Sequence, residues 1–409
     1  MMLVSCNSRE QFREQKMKES ESKVDTITEE VEEQEELLTL TQDEKQIPVK
    51  VNEMAFDLFR YVIGFQQEKS FVVSPLSLAY IMGMTANGAS GKTLQQHETV
   101  IGRNDIANSF FQKYARSLPK RKTAMIELLN VLAANKQYTL KKEFVDSLTN
   151  IYQAGALNVS FEDANAVNRI INDWLQQHAH GKVPTISIEP QPLDLIYLIN
   201  YLHFKNHWSN PFNESRTELS EFKRAKKIVS VPLMNNRGGY LFFENPRFQA
   251  LSMQYYDHNY RMLIVLPKTH NIGKFAYGFN YSDFDKLLDE MSYHNVEVFF
   301  PKFTTESNFD LINFVKRIVP SATDINAAEY GRLCDLPSYI SKVRQIVKIE
   351  VSEKETEATA ETISNHTLKG EGEVEKDVEA IFRADHPFLY FIYDDISRTI
   401  LLMGQYCGD

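Results

Sequence analysis

Residues 345–363 read QIVKIEVSEKETEATAETI. The first seven alternate apolar and polar side chains, as a strand with one buried face does. No turn closes that strand, because neither Gly nor Pro stands between Ile346 and Lys369. The chain runs on in small residues instead. Thr356, Ala358, Ala360 and Thr362 fall on one face at period two, and Glu355, Glu357, Thr359 and Glu361 on the other. The pattern is that of a strand, yet no side chain in it is large enough to hold a strand in place by its own burial. A segment of this kind can become a strand without being fixed as one.

Around it lies a chain of 409 residues, 43% hydrophobic and 24% charged, enough for a large core. The net charge of −10 with no basic block argues against nucleic acid as a partner and makes a polyanionic cofactor improbable on charge grounds. Much of the acidity sits in residues 20–46, which contain EEVEEQEE and no Gly or Pro; this composition predicts a solvated tether. The remaining roughly 360 residues show no second linker and read as one domain. Three cysteines, Cys6, Cys334 and Cys407, make neither a disulfide framework nor a zinc spacing, and the state of the last two stays open. At the start, Leu3-Val4-Ser5-Cys6 resembles the lipobox of a bacterial lipoprotein signal, in which the cysteine is lipidated. The expected organisation is a truncated lipoprotein signal over 1–6, an acidic tether over 7–48 and a single domain over 49–409. A lipid anchor at Cys6 with a flexible spacer would place the domain at the cell envelope or outside the cell.

Helical periodicity is clear over 51–64, where Ala55, Leu58, Phe59 and Val62 share a stripe. Ser74-Pro75 begins a second, buried helix that ends in Gly, and 165–181 predicts an amphipathic helix stopped by Gly181. MIELLNVLAANKQY, LIYLINYLHFKNHW, RMLIVLP, VEVFFPKF, HPFLYFIYD and TILLMGQY read as strands, the second of them central in a sheet. Together these predict an α+β fold with a large sheet. Residues 86–93, ANGASGKT, fit a loose phosphate-loop pattern, but a true one needs a strand before it, and here a helix precedes. His203 and His207 are four apart in a strand region, where helical metal-ligand geometry fails. Neither GxSxG nor HExxH occurs, so a hydrolase reading has no motif support.

Several long motifs in order then resemble the serpin family. FRADHPFLYFIY (382–393) is similar to its C-terminal signature, FVVSPLSLAYIMGMTANGASGKT to its second helix, and LINYLHFKNHWSNPF to the strand that carries its tryptophan, here Trp208. NDWLQQHAHGKV and VEVFFPKF match as well, so the resemblance covers about 49–406. It points to a bacterial, inhibitory-type member with a large central, mostly antiparallel sheet, smaller sheets and helices, and an exposed reactive-centre loop over about 353–381. It implies a monomeric suicide-substrate inhibitor of serine or cysteine endopeptidases, not an enzyme, that forms a covalent 1:1 complex and needs no metal or cofactor. The protease attacks the loop, an acyl-enzyme forms, and the cleaved loop enters the main sheet as a new strand. The alternative is a non-inhibitory binding or storage member whose loop is only a substrate.

The resemblance also assigns residues. Glu353, Glu355, Thr356, Glu357, Ala358, Thr359, Ala360, Glu361 and Thr362 correspond to the hinge of the loop. Ser74, Ser77, Asn200 and Gln345 correspond to a polar cluster that controls opening of the sheet, with Gln345 in place of the usual His. Trp208 lies near the loop's entry point. Glu355 stands where inhibitory members usually carry Gly, which implies slower insertion. Counting forward from the hinge places the scissile bond at Lys369–Gly370, and counting back from FRADHPF gives Lys376–Asp377. Lys369 is preferred, because extra residues before the acyl bond would leave slack between protease and sheet. Sixteen steps from Glu353 to Lys369, at ~3.3 Å each, carry the protease on the order of 50 Å. Either lysine predicts a trypsin-like or Lys-preferring target.

Overall fold

The apolar stripe read at 51–64 belongs to a helix that starts earlier. In the computed structural model, α1 (Gln46–Ile63) buries Ile47, Val51, Met54, Ala55, Leu58, Phe59 and Val62 along one side. The structure describes residues 37–121, 124–179, 185–269, 271–356 and 377–409. Leu37–Asp409 form one compact unit. That unit includes residues assigned to the tether by sequence: Glu44 is 3% exposed, and its carboxylate accepts from Ser109 Oγ at 2.6 Å and pairs with Lys113 Nζ at 2.7 Å. The folded body therefore begins N-terminal to residue 49.

After α1 come β1 (Phe71–Val73), α2 (Pro75–Gly88), α3 (Gly91–Ile101), α4 (Asn104–Arg116), β2 (Lys120–Arg121), β3 (Ala124–Asn135), α5 (Lys142–Ile151), β4 (Gly155–Val159), α6 (Ala164–His178) and β5 (Ile196–His207). The second half is mostly strand: β6 (Glu218–Lys223), β7 (Ile228–Glu244), β8 (Phe248–Gln254), β9 (Tyr260–Pro267), α7 (Ile272–Gly278), α8 (Tyr281–Glu290), β10 (Ser292–Pro301), β11 (Phe303–Asp310), α9 (Ile312–Ile318), β12 (Arg344–Val351), β13 (Glu355–Thr356), β14 (Ala380–Arg383), β15 (Phe388–Asp394) and β16 (Ile400–Tyr406). Ser74 caps α2 in extended conformation, its hydroxyl accepting from the Ser77 N–H, with Pro75 at the first helical position. The helix over 165–181 stops before the expected glycine, since Ala179 already turns extended. The phosphate-loop pattern joins two helices, and the N–H groups of Lys92 and Thr93, which would face a phosphate, donate to the Glu329 carboxylate.

Two sheets result, and the fold is α+β. A nine-stranded sheet runs β1-β16-β15-β9-β8-β7-β10-β14, with β6 added on β7. A seven-stranded sheet runs β11-β12-β13-β5-β3-β2, with β4 added on β3. Both are mostly antiparallel; the parallel pairs are β10–β14 and β3–β4. Side chains of β3 and β5 alternate between two apolar regions. Ile126, Leu132 and Phe204 enter the main core, while Val131, Ala133 and Ile199 meet Val167, Ile171 and Leu175 of α6 on the other face.

The seven-stranded sheet is not closed along its length. β5 pairs with β3 from Asn206 down to Ile196, and β12 pairs with β11 from Arg344 to Val351. Strand β13 lies between β5 and β12 and runs antiparallel to both, so those two are parallel to each other. It contributes only Glu355 and Thr356. Among the described residues, the ladder pairs on the facing edges of β5 and β12 are Glu355 with His207, Thr356 with Asn206 and Val351 with Thr356. At β13 the two strands are therefore one strand apart, and the space between β5 and β12 that β13 enters is termed the slot.

Candidate functional site

The mouth of the slot is built on a tight turn. Ser352 N–H and Ser352 Oγ both donate to the Glu355 carbonyl, each at 2.9 Å. A serine can close a turn in this way through its own side chain, and no positive φ is needed at Glu355. Trp208 grips the turn from β5: its N–H donates to Lys354 O and its indole Nε1–H to Ser352 O, both at 2.9 Å. Phe212 N–H donates to Glu353 O at 2.8 Å. The buried Trp208 ring stacks on Tyr255 with centroids 4.5 Å apart and planes 11° apart. The Tyr255 hydroxyl lies 3.0 Å from Thr356 Oγ1, and Thr356 is 1% exposed. Thr356 therefore already occupies an inward position, opposite Asn206 on one side and Val351 on the other.

Three consecutive charged residues on the turn each have a partner. Glu353 accepts from Thr217 Oγ1 and Lys302 Nζ, both at 2.9 Å. Burial pushes its carboxyl upward, but the bonds from Lys302 and Thr217 outweigh this and hold it below the ordinary glutamate value. Lys354 pairs with Glu214 at 3.0 Å, and Glu355 lies 2.7 Å from His207 Nε2.

The four residues of the expected polar cluster divide into two groups. Ser74 and Gln345 exchange hydrogen bonds: Ser74 N–H donates to Gln345 Oε1 at 3.0 Å, and Gln345 Nε2 donates to Ser74 O at 2.8 Å. Ser74 Oγ is 2.9 Å from Ser77 Oγ and donates to Leu401 O at 2.9 Å. Asn200 stands apart on β5, where its amide donates to Asn130 Oδ1 at 2.7 Å. The Asn200 Oδ1 is buried without a partner in the described structure. Cys334 and Cys407 are buried free thiols, and burial pushes Cys407 up to about 12.

Glu357, Ala358, Thr359, Ala360, Glu361, Thr362, Lys369, Gly370 and Lys376 lie outside the described residues, as does Cys6. Asp377 is described; its carbonyl accepts from Asn295 Nδ2 at 2.9 Å where the chain returns toward β14. Sequence reading did not pick out Tyr255, Lys302, Thr217 or Asn130, and it weighed His207 only as a metal ligand. A signal for His207 was present: on a strand, His203, Lys205 and His207 share one face.

A family model described as Serpin (serine protease inhibitor) matches residues 49–408, so the chain belongs to the serpin family. An uncharacterized serpin-like protein of Thermococcus kodakarensis is 30% identical over 377 residues, 88% of this chain and 85% of that one. Human Serpin I2 is 26% identical, covering 87% of this chain and 90% of its own. Iripin-3 of Ixodes ricinus is 27% identical, with 90% and 96% covered. Among solved structures, human thyroxine-binding globulin superposes with a TM-score of 0.78 at 24% identity, over 89% of this chain and 98% of that one. Native protease nexin-1 with heparin gives 0.77 at 21%, over 90% and 100%. The structural likenesses bear on the fold alone.

Proposed function

We propose that this serpin is an irreversible suicide-substrate inhibitor of endopeptidases, not an enzyme, and that it acts by inserting its own cleaved loop into the slot between β5 and β12. The seating of β13 between β5 and β12, with Thr356 already inward, is the observation that carries this reading. Continuing the register of Thr356 by six residues sets Thr362 opposite both Asn200 and Gln345. Ala358, Ala360 and Thr362 then follow Thr356 on the inward face, and Glu357, Thr359 and Glu361 face outward. Small inward side chains suit a position between two packed strands, where a bulky or charged one would clash or be buried unpaired. The Thr362 hydroxyl would reach the neighbourhood of the unpartnered Asn200 Oδ1.

In this mechanism the target's nucleophile attacks the carbonyl of Lys369 and expels the amine of Gly370, leaving an acyl-enzyme. The freed segment adds strand hydrogen bonds on both sides of the slot and drags the protease with it. The target accepts a basic residue, as trypsin-like or Lys-preferring proteases do, and forms one covalent complex per inhibitor. Incubation with trypsin followed by boiling in detergent tests this. A stable adduct, with a released fragment beginning at Gly370, is expected. Simple nicking without an adduct would instead support a binding or storage protein. We further propose attachment to the cell envelope through Cys6, which loss of membrane association in Cys6→Ser would support and unchanged fractionation would refute.

A further inference from the structure

A strand with a face of Thr and Ala has no large side chain to choose its own alignment. Slippage by one residue would turn every side chain to the opposite face. Slippage by two keeps the face but changes the travel by roughly 7 Å. Register has to be set outside the small-residue segment. Of the three side-chain partners of the turn's charged residues, two stand on other parts of the molecule: Lys302 follows β10, and Glu214 precedes β6. Only His207 belongs to a strand that lines the slot. It is the last residue of β5, directly opposite Glu355 in the ladder. Its backbone is fixed, since Tyr256 N–H donates to His207 O at 2.8 Å and the neighbouring Trp208 holds the turn. The Glu355 and His207 side chains are 12% and 22% exposed, so the 2.7 Å contact is largely shielded from water.

We propose that His207 is a positioning residue for loop insertion. By holding the Glu355 carboxylate it pins Glu355 opposite His207 and Thr356 opposite Asn206 in the uncleaved protein, so that later residues enter from a fixed start. The proposal rests on the insertion reading, but its test needs no protease.

Hydrogen exchange followed by mass spectrometry on the full, uncleaved chain reads the rung directly, through the amides of 352–356 and of 206–208. His207→Ala and Glu355→Ala should each speed exchange there on the order of tenfold, the scale of a shielded charge-assisted hydrogen bond. The double variant should be no faster than either single one. The exchanged pair, His207→Glu with Glu355→His, should return close to the wild-type rate, which a merely structural histidine would not do. His207→Gln and Glu355→Gln serve if the alanine variants fail to fold, and unchanged exchange in β15 and β16 certifies folding. Unaltered exchange in the single variants, or effects that add in the double, would overturn the pin. The fraction of trypsin encounters ending in adduct separates the two claims. A wild type that forms none refutes insertion, and a wild type that forms it without any exchange effect of His207→Ala refutes the pin.

Discussion

Strands β15 and β5 are neighbours to entirely different degrees. All seven residues of β15 are buried, and the strand is paired on both sides, with β16 and with β9. Phe391 alone meets the rings of Phe56, Phe59, Phe279 and Phe284. Among the described residues, β5 is paired along its length with β3 and at one end with β13, and most of its residues are half-buried. Where large apolar side chains fill both faces, burial fixes alignment and closure together. Where β13 supplies only Glu355 and Thr356 between β5 and β12, closure falls, on the proposed reading, to the small-residue segment that follows. One sheet is finished, and on the proposed reading the other gains hydrogen bonds once the loop is cut.

The sharpest way to break this contrast is Thr356→Arg. The site is closed to solvent and offers a tyrosine hydroxyl, not an acid, to a guanidinium. Leaving that charge buried unpaired costs on the order of 3–5 kcal/mol. The variant should lose the detergent-stable adduct while its loop remains cleavable; an adduct at the wild-type level would count against insertion. Next in size, cutting the loop with trypsin should raise the melting midpoint, because a new strand completes the ladder. Equal midpoints for intact and cut protein would favour the storage reading. In the finished sheet, Phe391→Ala should cost about 3–5 kcal/mol in cut and intact protein alike. A loss confined to one form would mean that the two sheets are energetically coupled.

Two carboxyls sharpen the comparison through pH, with opposite signs. Glu353, at the slot's mouth, is held below the ordinary glutamate value of 4.5. Its stabilising contribution is present above that value and is lost as pH falls through the lower folded one. Asp394, at the end of β15, is raised by burial to about 6, although Ile396 and Ser397 N–H groups bond to it. It favours the fold below 3.8 and loses that contribution as pH rises through about 6. The stability gap between wild type and Glu353→Gln should therefore close in acid. Asp394→Asn should gain on wild type as pH rises from 4 to 8. Denaturant melts at a series of pH values check both, and parallel curves would remove the assignment.

Much of the finished sheet was legible because burial writes itself as uninterrupted apolar runs: β9, β15 and β16 each contain one. β7 was not, since Gly238-Gly239 reads as a turn within it. Packing accounts for Gly238, where a Cβ would stand 2.4 Å from Asn210 Nδ2, whereas Gly239 faces open space. The alternation of β12 was legible, and so was the inward place of Thr356; the rest of the small-residue face lies outside the described residues. Family resemblance, not pattern, singled out Trp208. Its partners were not legible, because Trp208 and Ser352 are 144 residues apart. Asn200 shows the same limit. A motif places it beside Gln345, while the folded chain gives its amide to Asn130 on the neighbouring strand.

The slot itself can be watched. Alternate N–H groups of β5 over 196–205 point away from β3, and those of β12 over 344–350 point away from β11. Hydrogen exchange of these two stretches, measured before and after trypsin cuts the loop, tests insertion most directly. Strong new protection of both, with β15 and β16 unchanged, is the predicted result. Exchange that stays the same in β5 and β12 after cleavage would contradict the account.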